Sequence, residues 1–284
     1  MAAVAIVTDS TSDLEPDLAA RLGITVVPLF VNFGDSRYRD GVDMGRDEFY
    51  RRLASDAVLP TTTQPTAKMF EDAFAPLVAA GRPIVGVFIS QKLSGTINAA
   101  RAAADQFVGH RIELVDSLTA TAGLGLQAIG AAEMAAEGAS VEQVIGALAR
   151  DRAEQHGFAA LPDLAHPVRT GRIGKAGAAI GGILKIVPVL RLDRGEVEEE
   201  ARVRTFARAQ ETMIAATVRT IGDVARARVQ IMHSHAPGLA QSVMERLRAQ
   251  LGAEPHRIGL AEAGPVIAVH AGQGAVGIFS VAGY

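Results

Sequence analysis

The sequence predicts an α/β protein of two domains, the first a parallel sheet with helices on both faces. Three observations carry that expectation. Short apolar runs alternate with longer segments of helical spacing through the first half of the chain. Alternation of this kind favours parallel strands joined by helical crossovers that cover the sheet on both sides. The pattern changes near Gly157, and the 284 residues reach the length at which a single core stops growing, about 250–300 residues. The domains are therefore placed at residues 1–156 and 157–284.

The elements follow in order. Residues 3–8 read as the first strand, and 16–22 as a short helix with Pro16 in its first turn, where no amide donor is needed. A second strand is predicted over 24–31. Helices over 46–54 and 67–80 flank the loop Pro60-Thr61-Thr62-Thr63-Gln64-Pro65. A strand over 84–90, a helix over 95–108 and a strand over 112–115 continue the alternation. Two Ala-rich helices, 120–136 and 141–155, close the first domain. In the second, 157–161 and 187–192 read as strands, with a glycine-rich, mostly helical stretch over 169–184 between them. Residues 195–203 are acidic and then abruptly basic. Helices near 207–221 and 237–251 alternate with strands near 229–234 and 257–261. Two buried strands, 266–270 and 275–281, end the chain around Ala271-Gly272-Gln273-Gly274.

Composition removes several classes of function. There are 28 Lys+Arg against 31 Asp+Glu, a net charge of −3, so no basic surface points to nucleic acid. Aromatics are 5% and Trp is absent, which removes stacking platforms for single strands. With no Cys, disulfides and thiolate metal sites are excluded, and a reducing cytoplasm is compatible. The start of the chain lacks a basic leader and is too short for a signal sequence. Residues 263–284 contain no Asp, Glu, Lys or Arg, a length that would suit a membrane anchor. Pro265, His270, Gln273 and five glycines make them a poor fit to hydrocarbon. No transmembrane segment is expected.

In open α/β sheets, ligands sit beyond the C-terminal ends of the strands. Polar residues follow the predicted strands there: Asp9-Ser10-Thr11-Ser12, Ser94-Gly95 and Asp116-Ser117. The first group reads either as an anion site or as a capped turn, with Ser12 or Asp13 as cap. Thr61, Thr62 and Thr63 stand before a helix start, where free amides favour a carboxylate or phosphate. One cap needs only one hydroxyl, so the surplus hints at binding. Ser94 could cap the following helix, and Gly95 would let a ligand approach the backbone closely. Ser94 lacks the G-x-S-x-G elbow of a hydrolase nucleophile. His270 stands in an apolar run with no metal set or triad beside it. Gly171-Arg172-Ile173-Gly174-Lys175 lacks P-loop spacing. Beyond it, Ile180, Ile183 and Leu184 recur at helical spacing, with glycines that leave room for an apolar ligand. Arg202, Arg204 and Arg208 follow an acidic run and read as a solvated face or a docking site for a charged partner.

Taken together these segments resemble the DegV family, the fatty-acid-binding subunits of bacterial fatty acid kinases. Thr8-Asp9-Ser10-Thr11-Ser12-Asp13-Leu14 looks like the family's opening motif. Pro60-Thr61-Thr62-Thr63-Gln64-Pro65 looks like its P-T-T-S-Q-P, and Leu93-Ser94-Gly95-Thr96 like its L-S-G-T. Val115-Asp116-Ser117, Gly171-Arg172-Ile173 and Val203-Arg204-Thr205 correspond to later blocks, and His270-Ala271-Gly272-Gln273-Gly274 to a closing H-x-G-P-G. Thr63 in place of serine, Gln273 in place of proline and Val187 in place of a frequent lysine are departures.

The resemblance implies a long-chain fatty acid as ligand and no cofactor or metal. Its carboxylate would be held by Thr61 or Thr62, Ser94, Gly95 and His270 where the domains meet. Its chain would enter an acyl tunnel lined by Ile180, Ile183 and Leu184 in the second domain. A separate fatty acid kinase subunit would phosphorylate the bound carboxylate with ATP, docking near Arg172, Arg202 and Arg204. The chain itself shows no recognisable ATP site, and the implied carrier is a cytoplasmic, bacterial, non-enzymatic protein, with transient contact to a membrane surface at most. The alternative is an acyl hydrolase or transferase using Ser94 and His270.

Overall fold

A computed structural model describes residues 3–56, 58–163, 165–173, 186–281 and 283. Ile180, Ile183 and Leu184, and most of the helix expected over 169–184, lie outside the described residues. The chain runs β1 (Ala5–Asp9), α1 (Pro16–Leu22), β2 (Ile24–Val27), β3 (Phe30–Phe33), β4 (Ser36–Arg39), α2 (Arg46–Ser55) and β5 (Thr61–Thr63). It continues through α3 (Ala67–Ala79), β6 (Ile84–Phe88), α4 (Thr96–Ala104), β7 (Ile112–Asp116), α5 (Thr121–Ala136) and α6 (Val141–Glu154). The second half comprises β8 (His156–Ala160), α7 (Ala165–Thr170), β9 (Val187–Asp193), β10 (Glu196–Val203) and α8 (Phe206–Thr220). It closes with β11 (Arg228–His233), α9 (Pro237–Leu251), β12 (Arg257–Glu262), α10 (Pro265–Ala271) and β13 (Val276–Val281).

The first sheet is wholly parallel, in the order β2-β1-β6-β7. Both of its faces are covered, and the period of two along β1 shows how. Ile6 faces the cluster that α5 and α6 complete with Leu124, Val144 and Leu148. Its neighbours Ala5 and Val7 face Phe70 and Phe74 of α3 and Ile97 of α4. The chain leaves β1 towards β2 and leaves β6 towards β7, so a crevice opens between the C-terminal ends of β1 and β6.

The second sheet has the order β10-β9-β8-β13-β11-β12 and is antiparallel except for the β11–β12 pair. Helices α8 and α9 bury one face through Met213, Ile214 and Leu247 against Val229, Ile231 and Ile278. On the other face Met232 and Phe279 meet Ala122 of α5, which therefore serves both sheets. A buried ion pair, Arg228 with Asp151 at 3.0 Å, ties β11 to α6. Arg228 also donates to the Leu126 carbonyl of α5.

Two sequence expectations are corrected. The single strand over 24–31 is two strands in different sheets. Pro28 has no amide to donate, and the Leu29 amide is taken by the Ser10 hydroxyl at 3.0 Å, so the ladder stops at Val27. β3 then forms a small antiparallel sheet, β4-β3-β5, which places Thr62 opposite Val31. The strand expected over 266–270 is helix α10, with Pro265 in its first turn. A short apolar run buried on all sides carries no period that separates strand from helix. Helix α3 starts at Ala67, as expected, and the hydroxyl of its N-cap Thr66 accepts from the Met69 amide at 3.4 Å.

Candidate functional site

Between the crevice of the first sheet and the uncovered face of the second lies a cavity of about 480 Å³. That size suits a small organic ligand, for which sites run to about 300–1,000 Å³. Its wall on the second sheet is apolar, with Leu161, Leu190, Leu192, Met232, Val276 and Phe279. Polar groups gather on one side: Thr62, Thr63, Gln64, Ser94, Arg172 and His270.

Helix α10 organises this side. It is seated by two buried acids from loops of the first half of the chain, Asp13 and Asp40. The Gly264 amide donates to Asp13 Oδ1 at 2.8 Å, and Thr121 Oγ1 donates to Asp13 Oδ2 at 2.6 Å. A Cβ at residue 264 would stand 2.9 Å from Asp13 Oδ1, which explains a glycine there. Asp40 is buried beside it, its Oδ1 3.5 Å from where a Cβ at residue 264 would stand. Burial raises Asp13 to about 8, although the bonds from Thr121 and Gly264 oppose the shift. It raises Asp40 to about 7 and Asp9 to about 6 for the same reason. The Arg46 guanidinium is the nearby cation that moderates Asp13 and Asp40, and it also pairs with Glu15.

At its other end α10 carries His270, whose Nε2 lies 3.0 Å from Thr62 Oγ1 on β5. Burial lowers the imidazole to about 4, helped by the charges of Arg172 and Arg169. His270 is therefore neutral near pH 7. Its Nδ1 is buried and has no partner among the described residues. Each tautomer leaves one donor free. If Nε2 holds the proton and donates to Thr62, the threonine O–H is released. If Nδ1 holds it, that N–H is itself unclaimed.

Ser94 closes the site from the loop after β6. It does not cap α4, because Gly95 occupies the N-cap position and supplies no side-chain bond. Its hydroxyl lies 2.8 Å from Thr96 Oγ1, which leaves spare capacity on both oxygens. Gly95 permits a close approach, and the group that approaches is Gln64, whose Oε1 would lie 2.3 Å from a Cβ built there. The T-T-T-Q-P and L-S-G-T loops are thus interlocked. The Ser90 hydroxyl donates to the Gly195 carbonyl at 2.8 Å, so the β9–β10 turn also holds the L-S-G-T loop.

The remaining sequence candidates are scattered. Thr61 is exposed and does not line the cavity; its hydroxyl faces Asn32 Nδ2 at 3.4 Å. Arg172 is exposed at the rim, donating to the Thr170 carbonyl at 2.7 Å, and Arg169 donates to the Pro60 carbonyl at 3.2 Å. Arg202 lies away from the cavity on β10, paired with Glu199 at 2.7 Å, and Arg204 is exposed just beyond that strand. Asp13 and Ser12 do not cap α1, whose N-cap residue is Glu15 without a side-chain bond. Ser94 and His270 share no hydrogen bond here: the serine bonds Thr96 and the imidazole bonds Thr62. A nucleophile–base pair for an acyl hydrolase is therefore not assembled. Among the described residues, no group of three or more His, Cys, Asp or Glu could hold a metal ion, and no helix is long and apolar enough to cross a membrane. Thr11, Thr121, His233 and Ser234 also line the cavity and were not singled out as ligand contacts from the sequence except through the Asp9–Ser12 group. His233 and Ser234 end an ordinary apolar strand, and nothing local marks them.

A family model described as an uncharacterised protein of the DegV family matches residues 3–283. The chain belongs to the DegV family. A DegV domain-containing protein of Deinococcus radiodurans is 37% identical over 276 residues, 97% of each chain. Among solved structures, a DegV family protein of Thermus thermophilus described by its fatty acid binding is 33% identical, with a TM-score of 0.90 over 99% of this chain and 100% of that one. A stearic acid-binding protein of Eubacterium ventriosum is 26% identical, with a TM-score of 0.91 over 98% of this chain and 97% of that one. The two-lobed α/β architecture is thus that of the DegV structures.

Proposed function

We propose that this protein binds one long-chain fatty acid, with the carboxylate at Thr62, Ser94, Gly95 and His270 and the chain along the apolar wall. The observation that carries the reading is a set of neutral donors at one side of an apolar cavity, in a chain whose relatives bind fatty acids. Burying an alkyl chain gains about 0.8 kcal/mol per CH₂, so tail burial supplies most of the affinity. The carboxylate needs fixed donors once it leaves water. Hydroxyls and a neutral imidazole supply them without a tight counter-charge, and the head group remains reactive.

On this reading the carboxylate is presented to a separate ATP-dependent kinase subunit. A carboxylate oxygen attacks the γ-phosphorus, the bond to the ADP oxygen breaks, and an acyl phosphate and ADP result. Arg172 at the rim is placed to meet the added phosphoryl charge, and Arg202 and Arg204 would receive the partner. Ile180, Ile183 and Leu184 would extend the tunnel. The boundary between lobes falls between residues 156 and 157, and the setting is the cytoplasm.

The test is direct. Protein purified under native conditions, extracted and analysed by mass spectrometry, should contain close to one fatty acid per chain. Ser94→Ala should weaken binding of added acid about tenfold or more, the usual loss for a hydrogen bond to a charged group, while the fold is kept. Wild-type affinity in that variant would refute the head-group assignment.

A further inference from the structure

The cavity has a second polar place that the carboxylate does not use. His233, the last residue of β11, lines it. The His233 carbonyl accepts from the Ala263 amide at 2.8 Å, which puts the residue beside the start of α10. His270 stands at the other end of that helix, six residues beyond Gly264 and about 9 Å further along the axis, so the two histidines belong to opposite ends of α10.

The protonation of His233 follows from its partners. Its Nδ1 accepts from the Ala236 amide at 3.3 Å, so the neutral ring carries its proton on Nε2. Burial lowers its pKa, with His235 and Arg46 acting in the same direction and Glu262 opposing them. No partner for Nε2 is found among the described residues. Of the other polar groups lining the cavity, Thr11 donates to Asp9 and Thr121 donates to Asp13, and neither is bonded to His233. The adjoining wall is Met232, Ala263 and Phe279, none of which offers a side-chain acceptor of any strength. The Nε2–H donor of a cavity-lining histidine is therefore left without a partner among the described residues.

An unsubstituted alkyl chain running along this wall would strip water from that donor and return nothing. We propose that His233 forms a second subsite that accepts an oxygen on the acyl chain, so the cavity prefers a mid-chain hydroxy or oxo fatty acid over the unsubstituted acid of equal length. The inference rests on the fatty-acid reading above and names the substrate class within it. His233 belongs to the end of α10 away from His270, so the preference should depend on where along the chain the oxygen stands.

The experiment is a displacement titration on delipidated full-length protein. The competitors are stearic acid and a series of its monohydroxy isomers with the hydroxyl at successive carbons, against a fluorescent fatty acid. At least one isomer should bind about tenfold tighter than stearic acid, with weaker isomers on either side. His233→Phe should abolish that preference, whereas His233→Gln, which keeps an N–H donor, should retain part of it. Circular dichroism melts check that each variant is folded, and the glutamine variant serves if the phenylalanine variant is not. Equal binding of all the acids by wild type, as a resident water on Nε2 would produce, overturns the proposal while leaving the fatty-acid reading intact. So does an unchanged preference in His233→Phe. If no acid displaces the probe, both readings fail together.

Discussion

The two ends of α10 use polar groups in opposite ways. At its start, the buried acid Asp13 holds the backbone amide of residue 264, with Asp40 buried beside it. At its finish, the neutral pair Thr62 and His270 keeps a donor free for a ligand. An acid buried beside a helix start is a good fastener, because amides and hydroxyls converge on it. The same acid would be a poor ligand site for a carboxylate, because its oxygens are taken by the Gly264 amide and the Thr121 hydroxyl. The lesson is that this helix separates fastening from binding by about one and a half turns. The acids stay where the ligand's charge is not.

The largest effect should come from breaking the fastened end. Asp13→Ala leaves the Gly264 amide and the Thr121 hydroxyl without their acceptor. A loss on the order of 3 kcal/mol is expected in denaturant unfolding, since each orphaned buried donor is worth about 1–3 kcal/mol. A loss under half of that would show that the acid does not anchor the helix. At the other end the expectation inverts. Thr62→Val should lower fatty-acid affinity about tenfold in a displacement titration, yet change stability by only about 1 kcal/mol. Equal losses in both quantities would erase the distinction between the ends.

A smaller and more graded effect is the pH dependence, and its sign differs between the two ends. Asp13 and Asp40 are raised to about 8 and 7 from 3.8, so they hold protons in the folded state that the unfolded chain has released. Their contribution is complete below about pH 4 and is lost as the pH rises through 7 and 8. His270 is lowered to about 4 from 6.5, so its contribution is present above 6.5 and is lost as the pH falls towards 4. Melting temperatures of wild type and Asp13→Asn between pH 5 and 9 should therefore diverge, the wild type falling relative to the variant as pH rises. Parallel curves would mean that Asp13 does not titrate in this range.

Much of the first lobe was legible because its strands are apolar, regularly spaced and separated by amphipathic helices. Polar residues after β1 and β6 pointed to the crevice, and Thr62, Ser94 and His270 did so through their motifs. Four features were not legible. The break at Pro28-Leu29 depends on a hydroxyl nineteen residues earlier, and the helical state of 265–271 depends on burial from every side. Asp40 sits in a polar turn that reads as solvated, yet it is buried under α10. His233 was missed because a polar residue at the end of an apolar strand carries no local signal.

The sequence by itself determined the α/β class, the family and the identity of the hydroxyl-bearing loops, because these rest on local spacing and on motifs read in order. Only the tertiary structure decided which hydroxyl meets the imidazole, where the acids lie, and that two polar places share one cavity. The reason is range. The Thr62–His270 contact joins residues 208 apart and the Asp13–Gly264 contact residues 251 apart. At such separations, partners are chosen by how the sheets pack.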